Sequence, residues 1–287
     1  MLGYPLEDFL YRHGVVLSGD IELVKDRPWS LVAKVPTTSG LMWFKENRGE
    51  TGYEAPLLAA LARLAPGRVL EPVAIDAERG WSLTPDGGPT LREVDAVPDL
   101  RHWERMLADH ADFQHHLGVH TAELIDLGVP DQRPGRLPEL LRTLPVPPAV
   151  AGYVPTFDTL CAELAGSPVP LSLQHDDLHD GNVFADGRVF DWGDSSVSHP
   201  FGVLLISLRV AEDRFDASVL PRLRDAYLEP WTAVAPRRRL LREVELAVQV
   251  TKVSRALSWR RGLVTARPHD YAQLGDPVVG WLEELLK

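Results

Sequence analysis

A run of breakers, Pro85-Asp86-Gly87-Gly88-Pro89, divides this 287-residue sequence into two textures that no single regular architecture spans. Before it the pattern is mostly β. Pro5 followed by Leu6, Phe9 and Leu10 predicts a short amphipathic helix over 5–12. Residues 15–46 read as three antiparallel strands, punctuated by Asp26-Arg27-Pro28-Trp29-Ser30 and Pro36-Thr37-Thr38-Ser39-Gly40. A helix opens at Glu54, because Leu57, Leu58, Leu61 and Leu64 share a face and Pro56 fits only a first turn. Residues 69–75 and 80–84 read as two more strands. Beyond Pro89 the pattern is helical. A stripe through Trp103, Met106, Leu107, His110, Phe113, Gln114 and Leu117 predicts one long helix, and others are predicted at 155–165, 201–213, 217–227, 236–264 and 278–286. The fold class is therefore α+β, with a small antiparallel-sheet lobe over 1–86 and a large, mainly helical lobe over 87–287.

Charge narrows the partners. Lys plus Arg is 30 and Asp plus Glu 41, a formal net charge of −11 that argues against nucleic acid as a ligand. A single cysteine, Cys161, excludes an intramolecular disulfide and a cysteine-rich zinc module. Residues 1–8 carry acids where an export signal needs bases, and apolar runs such as 57–62 are too short to span a bilayer. A cytoplasmic protein without a membrane partner is the expectation. No sequence feature specifies an oligomeric state.

The chemistry is concentrated in His175-Asp176-Asp177-Leu178-His179-Asp180-Gly181-Asn182 and the following segment to Asp194. Asp186-Gly187 is a two-residue hairpin signal with positive φ expected at both residues. Pairing outward from it sets Ala185 against Arg188, Phe184 against Val189, Val183 against Phe190, and Asn182 against Asp191. Opposed residues point to one face, so this register brings an amide oxygen and a carboxylate together. Two hard oxygen donors can share one Mg2+ that takes its remaining ligands from water and phosphates. Asp177, on the loop entering the hairpin, projects towards the same space. A base, an Asn and an Asp are what phosphoryl transfer requires, and His-x-Asp-x-x-x-x-Asn followed by Asp-aromatic-Gly (here Asp191-Trp192-Gly193) matches the kinase pattern. Upstream, Lys45 ends the third predicted strand and Glu54 opens the next helix, the order of the kinase lysine–glutamate pair. Glu54 is preferred to Glu50 because it directly precedes the apolar helix.

On these residues the chain resembles the aminoglycoside phosphotransferase and choline kinase superfamily over nearly its full length. Its motif is commonly His-Gly-Asp-Leu-His-Pro-Gly-Asn followed by Asp-Trp. The segments Arg27-Pro28-Trp29-Ser30, Val35-Pro36-Thr37 and Trp43-Phe44-Lys45 resemble an actinobacterial branch. The resemblance implies a protein-kinase-like two-lobe fold and transfer of the γ-phosphoryl group of ATP, with Mg2+, to a small-molecule hydroxyl. It implies Asp177 as catalytic base, Asn182 and Asp191 as magnesium ligands, Lys45 held by Glu54 against the α/β-phosphates, and a hinge over residues 83–87, including Pro85 and Asp86, whose backbone meets adenine. Three departures stand out. Asp176 replaces a glycine, and it either raises the pKa of Asp177 or faces water. No glycine-rich loop covers the phosphates; Arg27 to Ser30 take its place, with the Ser30 hydroxyl and backbone amides as candidate phosphate donors. His199-Pro200 stands where Asp-Pro is common.

Two other readings compete. A nucleotide-binding pseudokinase would fit Asp176 and the missing glycine loop. A metal-dependent hydrolase would use His175, His179, Asp177 and Asp180, but it leaves Asn182 unexplained. His116 and His120 have metal-ligand spacing without a supporting motif, and solvated or helix-capping roles suit them better. His175 reads as structural, bonding loop backbone to hold Asp177. Arg237-Arg238-Arg239 with Arg242 reads as a solvated helix face, Trp259 as core and Cys161 as a packed thiol. Asp194, Glu212, Asp213 and Asp216 suit a cationic acceptor such as an aminoglycoside or amino sugar.

Overall fold

The computed structural model describes residues 3–95 and 97–287. Met1 and Leu2, which open the segment read for an export signal, lie outside the described residues. Helix α1 (Gly3–Arg12) places Leu6, Phe9 and Leu10 on one face, and a five-stranded antiparallel sheet covers that face. Its strands are β1 (Glu22–Asp26), β2 (Ser30–Thr37), β3 (Gly40–Asn47), β4 (Ala74–Asp76) and β5 (Trp81–Pro85), in the order β1-β2-β3-β5-β4. Alternation assigns the two faces. Leu31, Ala33 and Val35 of β2 and Phe44 of β3 turn to α1, where Phe9, Phe44 and Trp81 pack edge to face. Each such buried ring contributes roughly 1.5–3 kcal/mol. The residues between them turn to the opposite face. The predicted strand over 69–75 is shorter than expected: Val69 and Leu70 are buried as coil, and pairing begins at Ala74.

Helix α2 (Glu54–Leu64) follows β3 in sequence but packs with the helical part of the chain. Its Leu57 and Leu61 join Trp103, Leu107 and Phe113 in one core. The N-terminus of α2 is thereby held where the sheet meets the helices. The long stripe forms α3 (Leu100–Leu117), capped by the Asp99 side chain on the Arg101 amide. The rest of the helical lobe is built on α4 (Val154–Ala165), α5 (Leu204–Arg214), α6 (Leu220–Leu228), α7 (Arg237–Gly262) and α8 (Pro277–Glu283). A two-stranded ribbon, β6 (Ser172–Gln174) with β7 (Ser196–Ser198), brackets the segment 175–194. The architecture is a two-lobe α+β fold with a cleft between sheet and helices.

Several side chains carry the structural roles predicted for them. His116 bonds the Leu64 carbonyl at 2.8 Å and so caps α2, and Cys161 is buried, with its thiol pushed up to about 12 by burial. Arg239 and Arg242 pair with Glu243 and Glu163 at 3.0 Å. Trp259 is half-buried: it packs against the helical core, lines the cleft, and meets Trp29 edge to face at 5.6 Å. No helix among the described residues is long and apolar enough to cross a membrane.

Gly80 holds the turn into β5 at φ +66°, and its carbonyl accepts the Asn47 amide at 2.8 Å. A Cβ at this position would stand 2.7 Å from the Asn47 carbonyl oxygen. Left-handed backbone plus a backbone clash predicts that Gly80→Ala destabilises the fold by roughly 2–3 kcal/mol, read as a lowered urea midpoint at unchanged m-value.

Candidate active site

Lys45 lies opposite Val32 on β2 and Ser82 on β5. Because its neighbour Phe44 is buried against α1, the pleat aims Lys45 at the cleft. There its Nζ meets Glu54 at 2.7 Å and the Asp191 carboxylate at 2.6 Å. Glu54, buried at the start of α2, also accepts from the Asn47 side chain at 2.5 Å and the Trp192 amide at 3.1 Å. Gly193 permits this packing, since a Cβ there would stand 2.8 Å from the Glu54 carboxylate. Glu50 takes no part in these contacts. Burial pulls the Lys45 pKa down, but the Asp191 and Glu54 charges outweigh it, so the ammonium is held above its ordinary value. Lys45 in turn depresses Asp191, while burial raises Glu54 against the pull of Lys45.

The hairpin register differs from the one predicted. Val183 faces Val189, the Phe184 amide bonds the Arg188 carbonyl at 2.9 Å, and the Phe190 amide bonds the Asn182 carbonyl at 3.1 Å. The loop is thus three residues, 185–187, with Gly187 at φ +91° and Asp186 at negative φ. This one-residue slip sets Asn182 opposite Phe190, not Asp191. Asp191 reaches the cleft by another route: it sits at φ +64°, a left-handed kink just before the buried Trp192. Trp192 packs on His175, ring centroids 4.6 Å apart, and on Phe113 at 5.7 Å, which anchors the kink.

His175 fixes the other side of the loop. Its Nδ1 accepts the Asp177 amide at 3.3 Å and its Nε2 donates to the Phe190 carbonyl at 2.9 Å. Burial lowers its pKa, which suits the neutral ring these two bonds require. Asp177 and Asp191 line the same cleft, a space of about 370 Å3 also bordered by Lys25, Ser30, Lys45 and Arg255. Asn182 stands behind Asp177 and donates its side-chain amide to the Asp177 carbonyl at 2.9 Å and carboxylate at 3.4 Å. That leaves the Asn182 carboxamide oxygen and the second Asp191 oxygen unengaged among the described residues. Both are hard oxygen donors of the kind Mg2+ takes, although Asp191 lines the cleft and Asn182 does not. No group of three or more His, Cys, Asp or Glu gathers as metal ligands among the described residues.

Residues that sequence reasoning missed complete the site. Arg255, on α7, bonds the Asp176 carbonyl at 3.0 Å and Asp194 at 2.9 Å, and its guanidinium lies 3.6 Å from Asp177. Burial raises the Asp177 carboxyl, and Arg255 opposes that rise. Burial would raise Asp194 too, but Arg255 and the Ser258 hydroxyl bring it down to about 2. Asp194 is therefore matched within the protein and is not a free acid for a cationic acceptor. Asp216 is spent as well, accepting the Ser218 amide at 2.7 Å. Asp180 is fully buried between Arg92 at 2.6 Å and Arg214 at 3.1 Å, which pins the loop before Asn182.

Two sequence expectations need correction. The Ser30 side of the β1–β2 turn lines the cleft, but its amide donates to the Arg27 carbonyl at 3.3 Å and the Arg27 amide to the Ser30 carbonyl at 2.8 Å. With Pro28 lacking an N–H, most of the expected backbone cradle is consumed. Asp176 does not face water. It is buried at φ +63°, with its carboxyl bound by Gln174 and, at 2.8 Å, by Ser196. Pro85 and Asp86 lie outside the lining of this cleft. Pro85 pairs with Met42, the Asp86 amide bonds the Leu41 carbonyl at 3.1 Å, and its carboxylate accepts from Trp43 at 2.8 Å. The His199 ring, where an aspartate was the common residue, accepts the Phe201 amide at 3.3 Å and so still anchors the turn.

A sheet lobe and a helical lobe around a lysine–glutamate–aspartate cluster define a kinase-like phosphotransferase. The sequence model of the Phosphotransferase enzyme family matches residues 22–241, most of the chain, and the chain belongs to that family. No curated protein matches it. Among solved structures it is similar to the GDP and kanamycin complex of APH(2")-IIia, with a TM-score of 0.62 and 16% identity over 100% of this chain and 98% of that one. It is also similar to macrolide 2'-phosphotransferase MphH from Brachybacterium faecium (0.60, 17% identity, 97% of each chain). A third is choline kinase LicA from Streptococcus pneumoniae (0.61, 14% identity, 98% of this chain and 95% of that one). These likenesses establish the fold.

Burial pushes the Asp176 carboxyl up to about 6. An unfolded aspartate titrates near about 3.9, so between these values the unfolded chain loses its proton first, and stability falls as pH rises. The cost is on the order of 3 kcal/mol, fully present above pH ~6 and absent below pH ~4. Asp176→Asn, which tolerates the left-handed backbone, should raise the denaturant midpoint at pH 7 and converge on wild type near pH 4.

Proposed function

We propose that this enzyme transfers the γ-phosphoryl group of ATP, with Mg2+, to a hydroxyl of a small molecule. The observation that carries this is the Lys45–Glu54–Asp191 cluster standing in one cleft with Asp177. In this account Lys45, kept charged and fixed by Glu54, orients the α/β-phosphates. Asn182 and Asp191 would hold Mg2+, which supplies charge neutralisation at the phosphates when bound. Asp177 orients the acceptor hydroxyl and takes its proton as the oxygen attacks. Its burial raises its proton affinity, which suits a base, and the Arg255 charge opposes that rise. The protein's contribution is positioning and fixed charge.

The segment around Pro85 and Asp86 joins the nucleotide-binding lobe, residues 1–86, to the acceptor lobe, 87–287. Ser30 contributes through its hydroxyl, since its amide is engaged. The acceptor reading is a small hydroxyl compound. Aminoglycosides and amino sugars remain members of that class; of the four acids that favoured them, Asp194 is paired with Arg255 and Asp216 caps a helical turn, while Glu212 and Asp213 are exposed.

Asp177→Ala should retain MgATP binding within a few-fold while lowering acceptor-dependent ADP release by about 10²–10⁴. Asp191→Ala should weaken MgATP itself, measured by calorimetry. The acceptor is found by an ADP-release screen over aminoglycosides, amino sugars, sugars, choline and macrolides. Normal turnover by Asp177→Ala on that acceptor would remove Asp177 as the base.

A further inference from the structure

The sheet contains an irregularity next to the cleft. Glu22 pairs with Lys34 and Leu23 with Ala33, but the next pair is Lys25 with Val32, so Val24 is an extra residue, a β-bulge in β1. A regular ladder would have set Lys25 opposite Leu31, on the face that packs against α1. The bulge moves it one place. Lys25 opposes Val32, and Val32 opposes Lys45. Opposed residues in a ladder share a face, so Lys25, Val32 and Lys45 form one row across three strands, all bordering the cleft. With strands ~4.8 Å apart, the two lysine backbones stand about 10 Å from each other.

The surrounding charges give this row its meaning. Lys45 is engaged by two carboxylates and Arg255 by Asp194. The cleft's own acids thus absorb its inner cations. The acids nearest Lys25 in sequence are engaged elsewhere: Glu22 lies 3.7 Å from Lys34, and Asp26 lies 2.7 Å from Arg48. Among the described residues Lys25 has no carboxylate partner. The turn beside it, where a glycine-rich loop would offer amides, has its Arg27 and Ser30 amides bonded to each other's carbonyls and lacks an N–H at Pro28. The same turn is tied down by Thr265, whose hydroxyl donates to the Pro28 carbonyl at 2.6 Å, and by Trp29 against Trp259. It is poorly placed to rearrange and free its amides.

We infer that Lys25, turned into the cleft by the Val24 bulge, binds the outer phosphates of the nucleotide and replaces the missing backbone cradle. This rests on the nucleotide reading above and adds a side chain to it. A flexible ammonium with three donors suits a phosphate whose position shifts during transfer, whereas Lys45 is locked in place.

The experiment is titration calorimetry of the full chain with MgATP and, separately, with adenosine. Lys25→Gln should weaken MgATP about tenfold, leave adenosine unchanged, and make MgATP binding less sensitive to salt. Lys25→Arg should restore most of the affinity. Deleting Val24, in a chain shown to be folded by circular dichroism, should reproduce the loss with the lysine still present. MgATP affinity within twofold of wild type in Lys25→Gln overturns the assignment. If the folded wild-type protein takes up no MgATP, the nucleotide reading itself falls, a result distinct from equal binding by wild type and variant.

Discussion

One half-buried cation organises the cleft. Lys45 comes from the sheet, Glu54 from the first helix of the helical core, and Asp191 from a kink nearly 150 residues further on, and the three meet within hydrogen-bonding distance. Glu54, the buried member, would be costly as a lone charge. Together they are mutually satisfied, and Glu54 additionally takes the Asn47 side chain and the Trp192 amide. The ion cluster therefore does two jobs. It holds the lysine side chain in the cleft, and it ties the sheet to the first helix of the helical core and to the 175–194 loop.

Around this cluster the loop from His175 to Asp194 is held by a sequence of locked parts rather than by regular structure. The neutral His175 ring ties the Asp177 amide to the Phe190 carbonyl. Asp180 is clamped by Arg92 and Arg214. Two non-glycine residues, Asp176 and Asp191, adopt left-handed backbone; the first precedes Asp177, which lines the cleft, and the second lines it itself. Left-handed aspartates cost free energy, and the surrounding bonds over-determine them. Strain of this kind is what lets a short loop present several side chains to one space.

The helical lobe contributes more than packing. Arg255, Ser258 and Arg261 of α7 all converge on Asp194, and Arg255 continues to Asp177. The charge environment of Asp177 is thus set from a helix far away in sequence. The same helix end receives Trp29 from the sheet lobe. Sheet turn, the 175–194 loop and α7 are thus joined by direct contacts at one edge of the cleft.

Much of this was legible in residue order. Strand alternation, the Pro56 constraint on α2, and the stripe through α3 follow from local periodicity, so the lobes and the Lys45–Glu54 order could be read directly. The His175–Asn182 segment could be read because its residue types are few and closely spaced. The hairpin register could not. Asp186-Gly187 promotes two turn types that differ by one residue, and the choice fell to packing of Val183, Val189 and Phe184 against the lobe rather than to the turn itself. Arg255 and the fate of Asp194 were invisible because an ion pair between residues 61 positions apart leaves no local trace. The Val24 bulge was equally hidden, since a strand's sequence does not state which of its residues its neighbour will skip. Local sequence determined which elements form and which chemical groups the chain carries. Tertiary structure decided which of those groups face one another, because facing is fixed by register and by burial, and both are settled only when distant segments pack.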